Sequence, residues 1–426
     1  MRGPLRLRKV GGWVLATDTT LGADNGIGVA AALALLDMPA SAKLPPLECL
    51  FTVDEETGLT GAFGLDGSMI SGRTILNLDT EEFGKIYIGC AGGGGSLIRM
   101  PRDTEEVPAA IARDDQINDG SNIHHINMMV AMDFALSGLM GGHSGVNIHE
   151  YRGNGVVLGC RVLKTLVEQG GARLQSVRGG EQHNAIPREC FATILVDPAR
   201  MSQCEEIVAN ALAAIQKEFG VKEPGLECAL TPAPTTTMAP GGEDENATAV
   251  RNDRALQLLR LVSLLPNGPL KYSHQVEGLV ETSNNVASIK WCREDNQFEI
   301  NCSTRSFLPE PLEDIRDRIA SLAALCGGTV EQDDAYPGWE PRADSEVLGV
   351  ARETLYGILG EEPEVLAIHA GLECGVLAEK CPGSDIVSFG PTIRNAHTPE
   401  EAVDVATVAP FWELTLGVLR RLADRK

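Results

Sequence analysis

Apolar and polar residues along the first third of the chain form segments that predict strands and helices in turn. Behind Asp24, an apolar and alanine-rich run over residues 27–35 predicts a helix. Three further apolar runs predict strands at residues 47–53, 74–78 and 85–90. Because alternating strands and helices are typical of α/β proteins, this part of the chain predicts an α/β domain with a mixed, largely parallel sheet.

The pattern changes after residue 94 and changes back near residue 336. In the middle, two-residue periodicity predicts strands and helical periodicity predicts amphipathic helices, at residues 127–136, 191–196, 153–167 and 202–219. The α/β pattern then returns, with a helix at 345–359, strands at 364–368 and 385–389, and a final helix at 400–422. We therefore predict one α/β domain made of residues 1–94 and 337–426, interrupted by an inserted α+β domain over residues 95–336.

Two glycine-containing segments have more than one interpretation. The run Gly92–Gly95 lacks the Lys-Ser/Thr pair of a P-loop, so we prefer a flexible domain junction to a phosphate-binding loop. Residues 26–31 match a dinucleotide fingerprint, but no apolar strand leads directly into them and Asp24 would repel a pyrophosphate. A polar, proline-bearing stretch at residues 231–246 predicts a surface loop.

Charge and cysteine content limit the class of partner. The 426 residues include 36 Lys plus Arg and 59 Asp plus Glu, a formal net charge of −23, which opposes binding to nucleic acid or an anionic membrane. Eleven cysteines without a C-x-x-C pair indicate a reducing compartment. No apolar run approaches the roughly 20 residues of a membrane span, and the basic start lacks the apolar core of an export signal. We expect a cytoplasmic protein that binds small molecules, peptides or cations.

Acidic residues and one histidine stand at predicted strand ends and at a helix start, namely Asp24, Glu56, Asp79 and His397. Sites in open α/β sheets form at the carboxyl ends of strands, so these side chains are expected to meet. Three carboxylates with one imidazole suit Zn²⁺, Mn²⁺ or Co²⁺ better than Ca²⁺. Glu55 points away from Glu56 and can act as the general base toward a metal-activated water. Taken singly, each acidic residue is more often a helix cap or a solvated side chain.

Six ordered motifs spread over nearly the whole chain carry a family resemblance: Gly22–Gly28, Asp54–Gly58, Leu76–Glu82, Gly141–Gly145, His369–Gly375 and Phe389–His397. In these motifs the chain resembles the aminoacyl-histidine dipeptidases, the carnosinase-like branch of the di-zinc aminopeptidase and carboxypeptidase superfamily. The resemblance implies a zinc-peptidase-like catalytic domain interrupted by a lid or dimerisation domain. It also implies a homodimer.

The same resemblance assigns roles to the candidate ligands. It implies that Asp24 bridges two divalent metal ions, that Glu56 and His397 complete one site, and that Asp79 belongs to the other. Glu55 would be the general base. The set of ligands inferred from the residues and the set implied by the family agree.

Residues of the middle domain gain roles in the same way. The resemblance implies that His143 steadies the oxyanion, a role that family members often fill across a dimer. It also implies that Asn284, Asn285 and Arg305 face the substrate. Arg305 can pair with a substrate carboxylate through two hydrogen bonds. Glu373 is the candidate partner of the substrate α-ammonium group. His124 and His125 match no family motif and are expected to be ordinary surface or strand residues.

One family feature has no counterpart in this sequence. Family members carry an H-x-D segment ahead of the first motif, and its histidine is the third protein ligand of the metal shared with Asp79. We therefore expect a second metal site with only Asp24 and Asp79, and impaired activity or folding of the chain as written. Either the recorded start lies downstream of the true one, which the intact remaining motifs favour, or the gene is truncated and its product decayed or repurposed.

The expected function is hydrolysis of dipeptides, with Xaa-His dipeptides as the substrates that the resemblance implies. A metal-activated water would attack the peptide carbonyl, with Glu55 taking the proton and passing it to the leaving amine. Two alternatives stay open. The first is another amide hydrolase of the superfamily, such as a tripeptidase or an N-acyl-amino-acid deacylase, and the second is a non-catalytic metal-binding or dimeric protein.

Overall fold

The computed structural model describes residues 4–56, 58–110, 129–234, 246–274, 276–342 and 344–425. The strands in these ranges are β1 Leu7–Val10, β2 Trp13–Ala16, β3 Thr74–Asn77, β4 Lys85–Cys90, β5 Gly92–Pro101, β6 Thr104–Ala110, β7 Met129–Ser137, β8 Gly142–His143, β9 Arg173–Arg178, β10 Ala185–Ile186, β11 Cys190–Val196, β12 Glu227–Pro232, β13 Asn246–Val250, β14 Gly268–Tyr272, β15 Val280–Cys292, β16 Gln297–Ser306, β17 Thr329–Gln332, β18 Glu364–Ile368, β19 Asp385–Ser388, β20 Ile393–Arg394 and β21 Ala402–Asp404. The helices are α1 Ala23–Leu36, α2 Thr60–Phe63, α3 Gly155–Glu168, α4 Met201–Phe219, α5 Asn252–Leu264, α6 Pro309–Leu325, α7 Glu346–Leu359, α8 Glu373–Lys380 and α9 Val405–Asp424.

Two small sheets organise the first and last parts of the chain. One has the order β18-β4-β19-β3, with β18 parallel to β4, β19 parallel to β3 and an antiparallel pair between β19 and β4. The other is antiparallel, in the order β1-β2-β21-β20, and joins the start of the chain to its end. The predicted α/β fold with a mixed, largely parallel sheet is confirmed.

The middle of the chain forms two larger sheets. The five strands β14-β15-β16-β5-β17 pair antiparallel throughout. The second sheet has the order β13-β6-β7-β11-β9, and β12 also pairs with β7. Helices α3, α4, α5 and α6 pack on these sheets and bury one continuous apolar core that includes Phe134, Leu163, Leu174, Ile194 and Phe298.

A separate apolar core lies among the elements before residue 90 and after residue 344. It joins β4 to α7, β19 and α9 through Ile86, Val350, Val387, Phe411 and Val418. Two cores of this size are the physical basis for dividing the chain in two, since each buries its own apolar surface. The exact boundaries at residues 94 and 336 stay a prediction.

Two predicted elements need correction, and one hairpin was missed. Residues 47–53 form no strand, because no described strand pairs with them. The final helix begins at Val405 rather than residue 400, because β21 first pairs with β2 and Asp404 then caps the helix by accepting from the N–H of Ala406 at 3.0 Å. The hairpin of β1 and β2 was not predicted.

The glycine run is not a flexible junction, because Gly92–Gly95 begin strand β5. A side chain at Gly92 would lie 2.5 Å from the carbonyl of Tyr336, and one at Gly95 would lie 2.5 Å from the carboxylate of Asp333. Glycine is therefore required at Gly92, where the backbone of residues 336–338 comes too close for a side chain. Part of the predicted loop at 231–246, together with His124 and His125, lies outside the described residues. No helix in the described ranges is long and apolar enough to span a bilayer.

Candidate active site

Two carboxylates and an imidazole meet at the start of α1. His397 Nε2 lies 3.1 Å from Asp24 Oδ2 and 2.8 Å from Glu56 Oε2, and one ligand atom from each residue falls within 4.8 Å of the others. Asp24 stands in the first turn of α1 with non-helical backbone angles, and His397 adopts a φ of 64° in the loop after β20. An imidazole with two carboxylates at this spacing fits a divalent transition-metal ion such as Zn²⁺.

The charge state of His397 follows from these neighbours. Burial alone would lower its pKa, but the carboxylates of Glu56 and Asp24 outweigh burial and raise it. In the part of the chain that the structure describes, this is the single cluster of three or more potential ligands. Asp79 does not belong to that cluster.

Glu55 and Asp79 face the same cavity as these residues. Burial raises the pKa of Glu55 to about 7, and the carboxylates of Glu56 and Glu373 add to the effect. Burial raises the pKa of Asp79 to about 8, with Asp24 and Glu55 adding to it. So many carboxylates in one half-buried space repel one another, and a bound cation would relieve that repulsion. A glutamate with a pKa close to 7 is suited to general-base catalysis.

The cavity has a volume of about 630 Å³ and is walled by both parts of the chain. The carboxylates and His397 form one wall. Residues from the middle of the chain form another, namely Gly145, Val146, Ile148, His149 and Gly278–Val280. A peptide in this cavity would therefore contact catalytic groups on one side and the middle of the chain on the other.

His143 is held as a neutral hydrogen-bond donor. Its Nδ1 accepts from the backbone N–H groups of Gly145 and Val146 at 3.1 and 3.0 Å, so the proton resides on Nε2. Burial lowers the pKa of His143 to about 4, and the charge of Arg305 contributes. Gly145 and Val146, in the same turn, line the cavity. A side chain at Gly145 would lie 2.1 Å from the carbonyl of His369, so this turn packs directly against the carboxyl end of β18.

Arg305 and His369 lie buried at the junction between the two parts of the chain. Arg305 donates through Nη1 to the hydroxyl of Tyr336 at 3.1 Å, while its Nε is buried and makes no hydrogen bond to a described residue. His369 Nε2 lies 2.7 Å from Ser283 Oγ, and burial together with Arg305 lowers the pKa of His369 to about 3. His369 also lines the cavity.

The two predicted substrate asparagines do not line this cavity. Asn284 is fully buried, donates to the carbonyl of Pro266 at 2.7 Å and accepts from Thr304 at 2.8 Å. Asn285 donates to the carbonyl of Ala185 at 2.8 Å and faces a second cavity of about 420 Å³. Neither asparagine is among the lining of the first cavity.

Glu373, another predicted substrate residue, is the first residue of α8. Its Oε1 is buried without a hydrogen bond to a described residue, and burial raises its pKa. It contributes to the raised pKa of both Glu55 and Asp79, which places it close to the cavity.

Sequence reasoning did not single out Glu81, His369 or Glu401. Burial raises the pKa of Glu81 to about 7, and the nearby carboxylate of Asp24 adds to the effect. Glu401 accepts hydrogen bonds from the backbone at the start of α1. Glu81 and His369 lie inside the motifs Leu76–Glu82 and His369–Gly375, and Glu401 follows the motif that ends at His397. The spacing of these residues in the sequence does not predict which side chains or backbone groups they contact.

Comparisons with known proteins show which family this chain resembles. A sequence profile described as Peptidase family M20/M25/M40 matches residues 22–421. The chain is 37% identical over 419 residues to the cytosol non-specific dipeptidase of Escherichia coli strain K12, covering 97% of this chain and 79% of that protein. It is 35% identical to the aminoacylhistidine dipeptidase of Vibrio alginolyticus, whose crystal structure superposes with a TM-score of 0.85 and is covered over 79% of its length by 99% of this chain.

Proposed function

Because the chain belongs to the peptidase family M20/M25/M40 and is therefore a hydrolase, we propose that it cleaves dipeptides at a divalent metal centre. The observation that carries the proposal is the meeting of Asp24, Glu56 and His397 beside Glu55 in a cavity of peptide size. Membership of this family implies divalent metal binding, and the cluster of ligands is where the ion would bind.

Asp24, Glu56 and His397 would hold the first ion, for which we propose Zn²⁺, with Mn²⁺ and Co²⁺ as alternatives. Asp24 and Asp79 would hold a second ion. Since no third ligand accompanies Asp79 among the described residues, we expect this second site to be weak. The ions supply Lewis acidity that polarises the peptide carbonyl and favours ionisation of water.

The side chains of this protein would do the rest of the chemistry. Glu55 accepts the proton of the attacking water and returns it to the leaving amine. His143 presents its neutral Nε2–H to the oxyanion that develops from the carbonyl. Arg305, through its unpaired Nε–H, would bind the substrate carboxylate, and Glu373 would bind the α-ammonium group. Asn284 and Asn285 would not contact the substrate. Their hydrogen bonds would instead hold strand β15, which carries them, in place.

For the substrate we propose Xaa-His dipeptides among a wider range of dipeptides. Two relatives support this, one named a non-specific dipeptidase and the other an aminoacylhistidine dipeptidase. Tripeptides and N-acetyl amino acids are the competing substrate classes. A panel of carnosine, other dipeptides, tripeptides and N-acetyl amino acids separates these classes, and faster turnover of either competing class would contradict a dipeptidase.

The role of Glu55 is tested by Glu55→Gln, which keeps the shape of the side chain but cannot accept the proton. We expect kcat to fall by about 10²–10⁴-fold with the metal content per chain unchanged. Asp54→Asn is the matched control, because Asp54 is the exposed neighbour. Undiminished turnover by Glu55→Gln would refute the role, and a wild-type chain that binds metal but cleaves no member of the panel would favour a non-catalytic protein.

We also propose a cytoplasmic homodimer. A relative of this chain is named a cytosol enzyme, and the family resemblance implies the dimer. Gly145 and Val146, in the turn that carries His143, line the cavity, and this supports the proposal that His143 serves the site of its own chain. Light scattering after size-exclusion chromatography measures the oligomeric state directly.

A further inference from the structure

Glu401 makes an unusual set of contacts for a residue outside the ligand cluster. Its side chain is buried, with 2% exposed, and its carboxylate accepts from three successive backbone N–H groups. The distances are 2.8 Å from Gly22 N, 2.7 Å from Ala23 N and 3.2 Å from Asp24 N. Hydrogen bonds to an ionised carboxylate are stronger than neutral ones, so this contact fixes the backbone of residues 22–24.

The start of α1 depends on this remote carboxylate. Gly22, at the N-cap position, has no side chain to accept the first N–H groups, and its φ of 74° leaves the backbone in the left-handed region. Asp24 and Asn25 are themselves non-helical. The first N–H groups of a helix need acceptors, and here Glu401 supplies them.

Glu401 also belongs to the loop that presents His397. Only three residues separate the two, and the loop closes on itself through the N–H of Glu401 to the carbonyl of Thr398 at 3.0 Å. One carboxylate therefore ties the backbone of Asp24 to the loop of His397. Those are the two residues whose side chains meet at 3.1 Å.

We propose that Glu401 is a positioning residue that holds Asp24 and His397 at the spacing a divalent cation requires, without binding the cation itself. Both carboxylate oxygens are already occupied by N–H groups, and Glu401 is absent from the ligand cluster. The inference rests on the proposed metal centre. Residues that orient metal ligands change metal affinity by about 10–100-fold when they are replaced.

The test compares Zn²⁺ affinity with the stability of the metal-free chain. Glu401→Gln keeps the volume but turns an N–H donor toward the N–H groups of residues 22–24, and we expect the Kd for Zn²⁺ to rise by about 10-fold or more. Competition with a chromophoric chelator measures the Kd, and thermal unfolding in EDTA measures stability.

Two variants serve as controls. Glu400→Gln changes an exposed neighbour of the same charge and should leave the Kd unchanged. Ser345→Ala removes the cap that accepts from Leu348 N at 3.0 Å in α7, so it should lower the melting temperature without changing the Kd. If Glu401→Gln does not fold, Glu401→Asp provides the same comparison with the charge kept and the reach shortened.

The outcomes separate this inference from the proposed function. A variant of Glu401 that melts earlier in EDTA but binds Zn²⁺ as tightly as wild type would show a helix cap only and overturn the positioning role. A wild-type chain that binds no Zn²⁺, or binds it equally after His397→Ala, would overturn the metal centre and this inference with it. A selective loss of affinity in the Glu401 variants supports both.

Discussion

The imidazole of His369 is kept neutral in the interior, beside Arg305 and against Ser283. Its ring also lies 5.8 Å from that of Phe307, centroid to centroid. Burial lowers its pKa from 6.5 to about 3. At a pH between these values, the imidazole is therefore neutral in the folded chain and protonated in the unfolded chain. The contribution of His369 to the free energy of unfolding is therefore fully present above pH 6.5 and declines as the pH falls toward 3.

The pH dependence of stability should carry this signature. Between pH 6.5 and about 3, His369 should contribute a slope of up to about 1.4 kcal/mol per pH unit to the free energy of unfolding, with stability lower at lower pH. His369→Gln removes the titrating group and should flatten the urea-denaturation profile over this range. The exposed His274 is the control, because it is not among the groups that act on His369, and His274→Gln should leave the slope as it is. An unchanged slope in His369→Gln would contradict the assignment.

At the same scale, some site residues could be predicted and others could not. Asp24, Glu56 and His397 were predicted because each has the right chemistry inside a recognisable motif, and the structure brings the three together. Glu401 was not, because its partners lie 379 positions away and a glutamate in an acidic loop is ordinary by itself. Asn284 was expected at the substrate, but pairing of its amide with Pro266 and Thr304 depends on the register of β15 with β14 and β16, which no single segment encodes.

At the scale of elements, the apolar pattern predicted where several helices and strands lie, but it did not predict which apolar run pairs with another strand. The helix α1 and the strands β3 and β4 were predicted within a few residues, because their periodicity is regular. The stretch 47–53 has the same apolar character but no strand beside it, and Val53 remains 72% exposed. Whether an apolar run becomes a strand depends on a partner elsewhere in the chain.

The helix α1 presents an apolar face to solvent beside that stretch. Val29, Leu33 and Leu36 follow one another at helical spacing and are 44%, 54% and 58% exposed, and Leu50 and Phe51 are exposed nearby in the chain. Exposed apolar surface of this kind promotes self-association. Burial of the opposite face through Ala31 and Leu35 is what attaches the helix to the protein.

A charge on this face should improve solubility at little cost. We expect Leu33→Glu to lower light scattering and binding of a hydrophobic dye, while the free energy of unfolding changes by less than about 0.5 kcal/mol. The matched variant Leu35→Ala, on the buried face, should cost about 2–5 kcal/mol. Equal destabilisation by the two substitutions would mean that the face around Leu33 is buried in solution.

At the scale of the whole molecule, one chain supplies both walls of the cavity. Asp24, Glu55 and His397 come from its outer parts, and the turn of His143 comes from its middle. The packing of Gly145 on the carbonyl of His369 joins them within a single chain. We therefore expect His143 to serve the site of its own chain.

Mixing two inactive variants tests this arrangement. Glu55→Gln and His143→Ala should each lower kcat by about 10²-fold or more. After joint unfolding and refolding, the mixture should be no more active than the two variants measured apart. Recovery toward about a quarter of wild-type activity, the value for random pairing in a dimer, would show that His143 acts in the partner's site.

The antiparallel sheet that joins β2 to β21 has a consequence for how the protein is made. Val14 pairs with Val403, and the backbone N–H of Gly22 donates to Glu401, 379 positions further along the chain. Synthesis proceeds from the amino end, and contacts between distant positions form late. The first hairpin and helix therefore leave the ribosome long before their partners exist. Until almost the last helix has been synthesised, their apolar faces need protection from other nascent chains.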